Sequence, residues 1–212
     1  MAVLHPWCTA SCIISFCSEF HRTLLRCAVH RRLIMKLYVT RHGQTEWNAL
    51  DRISGVTDIL LTQEGMEQAR EMAQKAKEYG DIQRIIASPL RRAQMTAQIV
   101  GETLGLPVQT DDRLTEWDYG SFEGQSRFIP GFAETKAEFG CKMPDGGESV
   151  FQVVQRTYNV IDDVKRLYPD ENVLLVCHGG ICRVIDSYFH DMTVDRFMHF
   201  FMGNCELRVY EL

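Results

Sequence analysis

Two histidines in this 212-residue sequence each follow directly on a short apolar run and are themselves followed by glycine. They are Arg41-His42-Gly43, after Lys36 to Thr40, and His178-Gly179-Gly180, after Asn172 to Cys177. An imidazole can be a nucleophile, a proton carrier or a metal ligand near neutral pH. A lone histidine at such a place is more often packed or capping, so neither position alone implies catalysis. The pairing changes that balance. The glycines let a ligand come close to the backbone, and the Arg41 guanidinium presents a donor fork that matches phosphate oxygens. A second cationic pair, Arg91-Arg92, follows Ser88-Pro89 where a helix should begin, and the free N–H groups of a helix start favour anions. Phosphoryl chemistry is what such a set could perform. It also needs a proton donor, and the loop holding Asp111, Asp112, Glu116, Asp118 and Glu123 supplies several carboxylates without choosing among them.

The elements that must position these groups are legible from Met35 onward. Lys36 to Thr40, Arg84 to Ala87, Pro107 to Gln109, Asn172 to Cys177 and Glu206 to Leu212 read as strands. Between them, Thr62 caps a helix from Gln63 to Tyr79 that Gly80 closes. Ser88 caps, and Pro89 begins, a helix reaching about Leu104 before Gly105. Ser149 and Gln152 form a capping box for a helix reaching Tyr168. A helix follows from about Gly180, and Thr193 caps a short one. The stretch 111–148 is a long glycine-containing connection with one helix near Phe132 to Phe139, and connections that long are usually functional. Strand and helix in alternation predict a mostly parallel sheet covered on both faces, with its site at the carboxyl ends of the strands.

Composition bounds the partners. The chain is 45% hydrophobic and 24% charged, the balance of an ordinary globular protein, and its formal charge is −5 with the basic residues scattered. That distribution argues against nucleic acid as a partner. No apolar run approaches the length of a membrane span. The charge is uneven, however. Residues 1–34 carry Arg22, Arg26, Arg31 and Arg32 against Glu19, net +3, which leaves −8 for the rest. The organisation expected is therefore an N-terminal extension over 1–34 and one domain over 35–212. The extension reads as a disordered tail or a mis-assigned start, with translation beginning at Met35. Its Arg-rich, acid-poor composition also fits a mitochondrial presequence. Cys8, Cys12, Cys17 and His21 have loosely ligand-like spacing but no C-x-x-C knuckle, so zinc is not expected. Cys141, Cys177, Cys182 and Cys205 lie in or beside apolar runs and read as small buried hydrophobes, which suits a reducing, cytoplasmic location.

Taken in order, Arg41-His42-Gly43 with Thr45 and Asn48, Ser88-x-Leu90-x-Arg92-Ala93-x-x-Thr96, Leu114-Thr115-Glu116-x-x-x-Gly120-x-x-x-Gly124 and His178-Gly179 resemble the histidine phosphatase superfamily, the phosphoglycerate mutase-like enzymes. These motifs span nearly all of 35–212. The resemblance implies a three-layer α/β/α sandwich with a mostly parallel central sheet. It also implies a phosphohistidine mechanism that needs no metal or other cofactor, acting on a small-molecule phosphate ester. By position, His42 matches the nucleophile, Arg41 and Arg92 the phosphate-binding arginines, His178 the second phosphate-pocket histidine and Glu116 the proton donor. Gly43, Thr45, Asn48 and Gly179 match substrate contacts, and Ser54-Gly55, shared with the true mutases, joins them. Arg91 falls one place off the motif and reads as a surface charge.

Elementary chemistry supports these roles. Phosphate monoesters hydrolyse so slowly that acceleration approaching ~10²¹-fold can be required, most of it from positioning and charge stabilisation. Two guanidiniums and an imidazolium on His178 would supply the charge, and the arginines would keep His42 neutral for attack. Glu116 must begin protonated, which burial behind Trp117 and Tyr119 beside a dianionic phosphate would favour. Within the superfamily, the true mutases carry a longer insertion with paired arginines and a lysine, whereas 125–148 here contains only Arg127, Lys136 and Lys142 as cations. That difference, with Gly146-Gly147-Glu148-Ser149, favours the compact phosphatase branch. Its members act on sugar phosphates, phosphoserine, phosphoglycerate or α-ribazole phosphate. A mutase is the alternative within the family, and a low-turnover phosphate-binding or regulatory protein is the alternative of another class.

Overall fold

The computed structural model describes residues 35–212. The leader, with its targeting and cysteine readings, lies outside the described residues. Five strands, β1 (Lys36–Arg41), β2 (Arg84–Ala87), β3 (Val108–Thr110), β4 (Val173–Cys177) and β5 (Leu207–Glu211), form one sheet in the order β3-β2-β4-β1-β5. All neighbours run parallel except β5, which is antiparallel to β1. Seven α-helices occur among the described residues: α1 (Glu46–Ala49), α2 (Gln63–Tyr79), α3 (Arg91–Leu104), α4 (Phe132–Ala137), α5 (Val150–Leu167), α6 (Gly179–Phe189) and α7 (Val194–His199).

Strand alternation assigns the two faces of the sheet. Leu37, Val39, Leu175 and Cys177 point into one core, filled by Val153, Val160, Ile161 and Val164 of α5 and by Ile181, Val184 and Ile185 of α6. Tyr38, Ile85, Leu174 and Val176 point into the other, where α2 supplies Met72, Ala73 and Ala76 and α3 supplies Ala93, Ala97 and Val100. This is the expected three-layer sandwich. The β4 run Val173–Cys177 is buried on both sides, so its continuous hydrophobicity reflects its central place. Each fully buried Leu, Ile or Val contributes about 1.5–3 kcal/mol relative to exposure.

The helix ends mostly follow their residues. The Thr62 side chain accepts from Gly65 N–H at the start of α2, Gly80 closes that helix in the left-handed conformation, and Ser149 with Gln152 forms the capping box of α5. One expected cap is displaced. α3 begins at Arg91, later than expected, with Leu90 at the cap position; the Ser88 hydroxyl accepts from Leu90 N–H at 3.3 Å and also lies 2.7 Å from His178 Nε2. α1 had no counterpart in the sequence pattern. It is a single turn held by a reciprocal box between Thr45 and Asn48. Among the cysteines, Cys177 and Cys182 are buried as expected, whereas Cys141 is exposed. None of the helices described is long and apolar enough to cross a membrane.

Candidate active site

Arg41 ends β1, Ser88 follows β2, and His178 follows β4, so three adjacent strands deliver side chains to one end of the sheet. A cavity of about 170 Å³ opens there, lined by Arg41, His42, Asn48, Ser54, Gly55, Arg92, Glu116 and Gly179 among others. Most of the expected site residues thus meet at one place, while His178 is buried beside His42 without lining the cavity.

His42 is 2% exposed. Its Nδ1 lies 2.7 Å from Gly43 O, and since a carbonyl only accepts, the ring proton sits on Nδ1 and Nε2 keeps its lone pair. Burial, then the charges of Arg92 and Arg41, hold its pKa well below the ordinary value, so the ring is neutral at physiological pH. Asn204, ahead of β5, fixes the backbone by donating from Nδ2 to His42 O (2.8 Å) and to Asn48 Oδ1 (3.2 Å).

The two arginines are held so that each keeps a free donor. Arg92 is fully buried, with NH1 donating to Thr57 O at 2.8 Å and NH2 to Gly55 O at 2.6 Å, while its Nε has no partner. Arg41 donates from NH1 to Met202 O at 3.0 Å, and its Nε too is buried and unpartnered. Desolvation lowers the Arg92 pKa to about 10, and neighbouring Glu116, Asp58 and Glu123 oppose the shift. Both guanidiniums remain charged. Arg91, by contrast, is exposed, as a surface charge should be.

His178 stands behind His42, its ring centroid 5.1 Å away, and is fully buried. A Ser88 hydroxyl that donates to His178 Nε2 leaves the ring proton on Nδ1, which is buried without a partner. Burial, then the charges of Arg92 and Arg41, push its pKa well down. Without a bound anion the ring is thus held neutral, with Nδ1–H able to donate one hydrogen bond.

Glu116 is 8% exposed, and its oxygens accept from Trp117 N–H (2.9 Å) and Gly180 N–H (3.1 Å). Gly180, read from the sequence only as a helix start, is a contact of Glu116. A Cβ there would lie 2.5 Å from Glu116 Oε1, so only glycine allows the approach. The loop carrying Glu116 is clamped by Arg156 of α5, which donates to Arg113 O, Thr115 O and Glu116 O and pairs through two nitrogens with Glu148. Replacing Arg156 by Met strips three carbonyls and one carboxylate of their partner. The expected cost is about 2 kcal/mol, or a Tm lower by roughly 4–8 °C in a domain of this size, measurable by thermal unfolding.

Two expected substrate contacts lie outside the cavity. Thr45 is fully buried, and its hydroxyl is spent capping α1. Gly43 packs on the start of α2, where a Cβ would lie 2.3 Å from Gly65 O, so its small size serves helix docking rather than ligand approach. Ser54 and Gly55 do line the cavity, and Gly55 also supplies a carbonyl that holds Arg92. The sequence reading missed Tyr119, Phe132, Lys136, Arg127 and Arg183, which line the outer part. For Arg183 a signal existed, since it falls one helical turn after Gly179 and Gly180 and shares their face.

Residues 37–212 match the family model of the histidine phosphatase superfamily (branch 1), and the chain belongs to that superfamily. It is 38% identical over 154 residues to a probable phosphoglycerate mutase, GpmB, of Cronobacter sakazakii, covering 69% of this chain and 70% of the relative. It is 35% identical over 143 residues to an uncharacterized phosphatase, PhoE, of Bacillus subtilis, covering 67% and 70%. Among solved structures it is similar to a mycobacterial glucosyl-3-phosphoglycerate phosphatase complexed with VO3. That match has a TM-score of 0.74 and 30% identity, and covers 82% of this chain and 90% of the other.

Proposed function

We propose that the chain is a phosphatase that hydrolyses small-molecule phosphate monoesters through a phosphohistidine on His42 Nε2. The observation that carries this reading is the neutral, tautomer-fixed His42 flanked by two buried arginines that each keep an unpartnered Nε. Arg41, Arg92 and His178 Nδ1–H hold the phosphoryl oxygens. His42 Nε2 attacks phosphorus in line, the P–O ester bond breaks, and protonated Glu116 gives its proton to the leaving oxygen. Water then attacks the phosphorus of phospho-His42 while Glu116 takes a proton from it. The P–N bond breaks, and inorganic phosphate leaves with His42 restored. That a similar solved structure is named a phosphatase and is complexed with VO3 supports this reading.

A mutase is the second reading, favoured by the name of the Cronobacter relative and by the presence of Arg127 and Lys136 in the cavity. With 3-phosphoglycerate and catalytic 2,3-bisphosphoglycerate, released phosphate should exceed 2-phosphoglycerate formed. Rapid isomerisation with little free phosphate would establish the mutase. A protein that only binds phosphate would turn over neither these substrates nor p-nitrophenyl phosphate.

A further inference from the structure

Asn204 stands in the turn between α7 and β5, 156 positions after Asn48 and outside the motifs that carry the site. That turn is tied to the end of β1 at three points. Thr40 Oγ1 donates to Glu206 O at 2.9 Å, Cys205 N–H to Arg41 O at 3.0 Å, and the Asn204 amide to His42 O at 2.8 Å. Cys205 makes its bond with φ at +54°, a left-handed conformation that residues with a Cβ rarely adopt. Strain of this kind persists only where surrounding contacts enforce it, and such places cluster at functional sites.

The orientations of the two amides follow from their partners. A backbone N–H only donates, so the Asn48 atom 3.1 Å from Thr45 N is the side-chain oxygen. That oxygen also lies 3.2 Å from the Asn204 atom that meets His42 O. Two acceptors require a group with two protons, so Asn204 Nδ2 serves both and has none left. With Asn48 Oδ1 held twice, its Nδ2 is the end that remains for the cavity Asn48 lines. An acid at 204 would set an oxygen against two acceptors, and a smaller residue would leave both without this donor. We propose that Asn204 is a positioning residue: anchored on His42 O, it locks the Asn48 amide so that Nδ2 donates to a phosphoryl oxygen. This deepens the phosphatase reading and rests on it, but its binding measurement needs no turnover.

Inorganic phosphate is the probe, with its affinity for the full chain measured calorimetrically. Asn204→Ala should weaken phosphate binding about tenfold, the scale of one hydrogen bond to a charged group. In an Asn48→Ala background the same change should cost less than about twofold, because the donor it steers is already gone. A merely structural Asn204 would lower Tm and leave the two losses multiplicative. Side-chain ¹⁵N–¹H spectra of the wild type give a second measurement that does not depend on the variant folding. Phosphate should shift the Asn48 Nδ2 pair, identified by its absence from Asn48→Ala, well beyond the Asn204 pair. Losses that multiply across the two backgrounds, an unchanged affinity in Asn204→Ala, or an Asn48 pair that ignores phosphate each overturn the lock. Wild-type protein that binds no phosphate overturns the lock and the phosphatase reading together. Esters left intact by the wild type, with the coupling of Asn204 to Asn48 preserved, would overturn only the phosphatase reading.

Discussion

Replacing His42 by Ala is expected to lower turnover by roughly 10⁴-fold or more, the scale on which losing one member of a cooperating catalytic set is felt. Nothing else in the cavity can take over. His178 is the only other imidazole nearby, and it lies behind His42 with Nε2 engaged by Ser88. Wild-type protein mixed with a ³²P-labelled substrate and denatured in alkali should carry label that acid removes, as a phosphoramidate does. The variant should carry none. Arg41 and Arg92 remain in place, so the variant should still bind the ester, which separates loss of chemistry from loss of the site. Label of the same stability on His42→Ala would move the nucleophile elsewhere, with His178 the next residue to replace.

The second large effect belongs to Glu116→Gln, and its size should depend on the leaving group. An alkoxide departs poorly without a proton, so turnover of alkyl phosphates should fall by about 10²–10⁴-fold. p-Nitrophenolate is stable as it leaves, so its first step should be largely spared. Hydrolysis of phospho-His42 still needs a base, and the variant should show a burst of nitrophenol followed by slow turnover. No other acid is among the residues lining the cavity. Asp118 accepts from Gly120 N–H, and Glu123 latches Val56 and Thr57 through both oxygens. A glutamine also offers one oxygen where the carboxylate offers two, so Trp117 N–H or Gly180 N–H loses its acceptor. Equal impairment of the first step with alkyl and aryl esters would give Glu116 a structural part only.

The sequence was readable wherever an interaction closes within one turn. Thr62 and Gly65, or Ser149 and Gln152, are three residues apart, and their pattern is visible without the rest of the chain. Ser88 misled for the opposite reason. Its hydroxyl does accept from Leu90 N–H, but the helix starts only at Arg91, and the same hydroxyl meets a histidine that arrives ninety positions later. Gly43 misled similarly, since the constraint on its size comes from Gly65. The inner cavity could be read because its residues follow strand ends in recognisable motifs. That Arg127, Lys136 and Arg183 share its wall was not legible in the same way. Arg127, Lys136 and Arg183 lie in a loop, a short helix and a long helix, and only the tertiary fold brings them to one wall.

The strand order also sets when the protein can become itself. β1 is the first of the described strands to be made, yet Leu37 pairs with Val173 on one side and Tyr210 on the other, so both its partners belong to the last part of the chain. During synthesis an apolar strand waits with both edges open while helices α2 and α3 and the β2–β3 pair form beside it. Such non-local closure slows folding and leaves unpaired edges exposed to other chains. The emerging polypeptide is therefore open to association with other chains, and its yield in a heterologous host should rise when translation is slowed or the growth temperature is lowered.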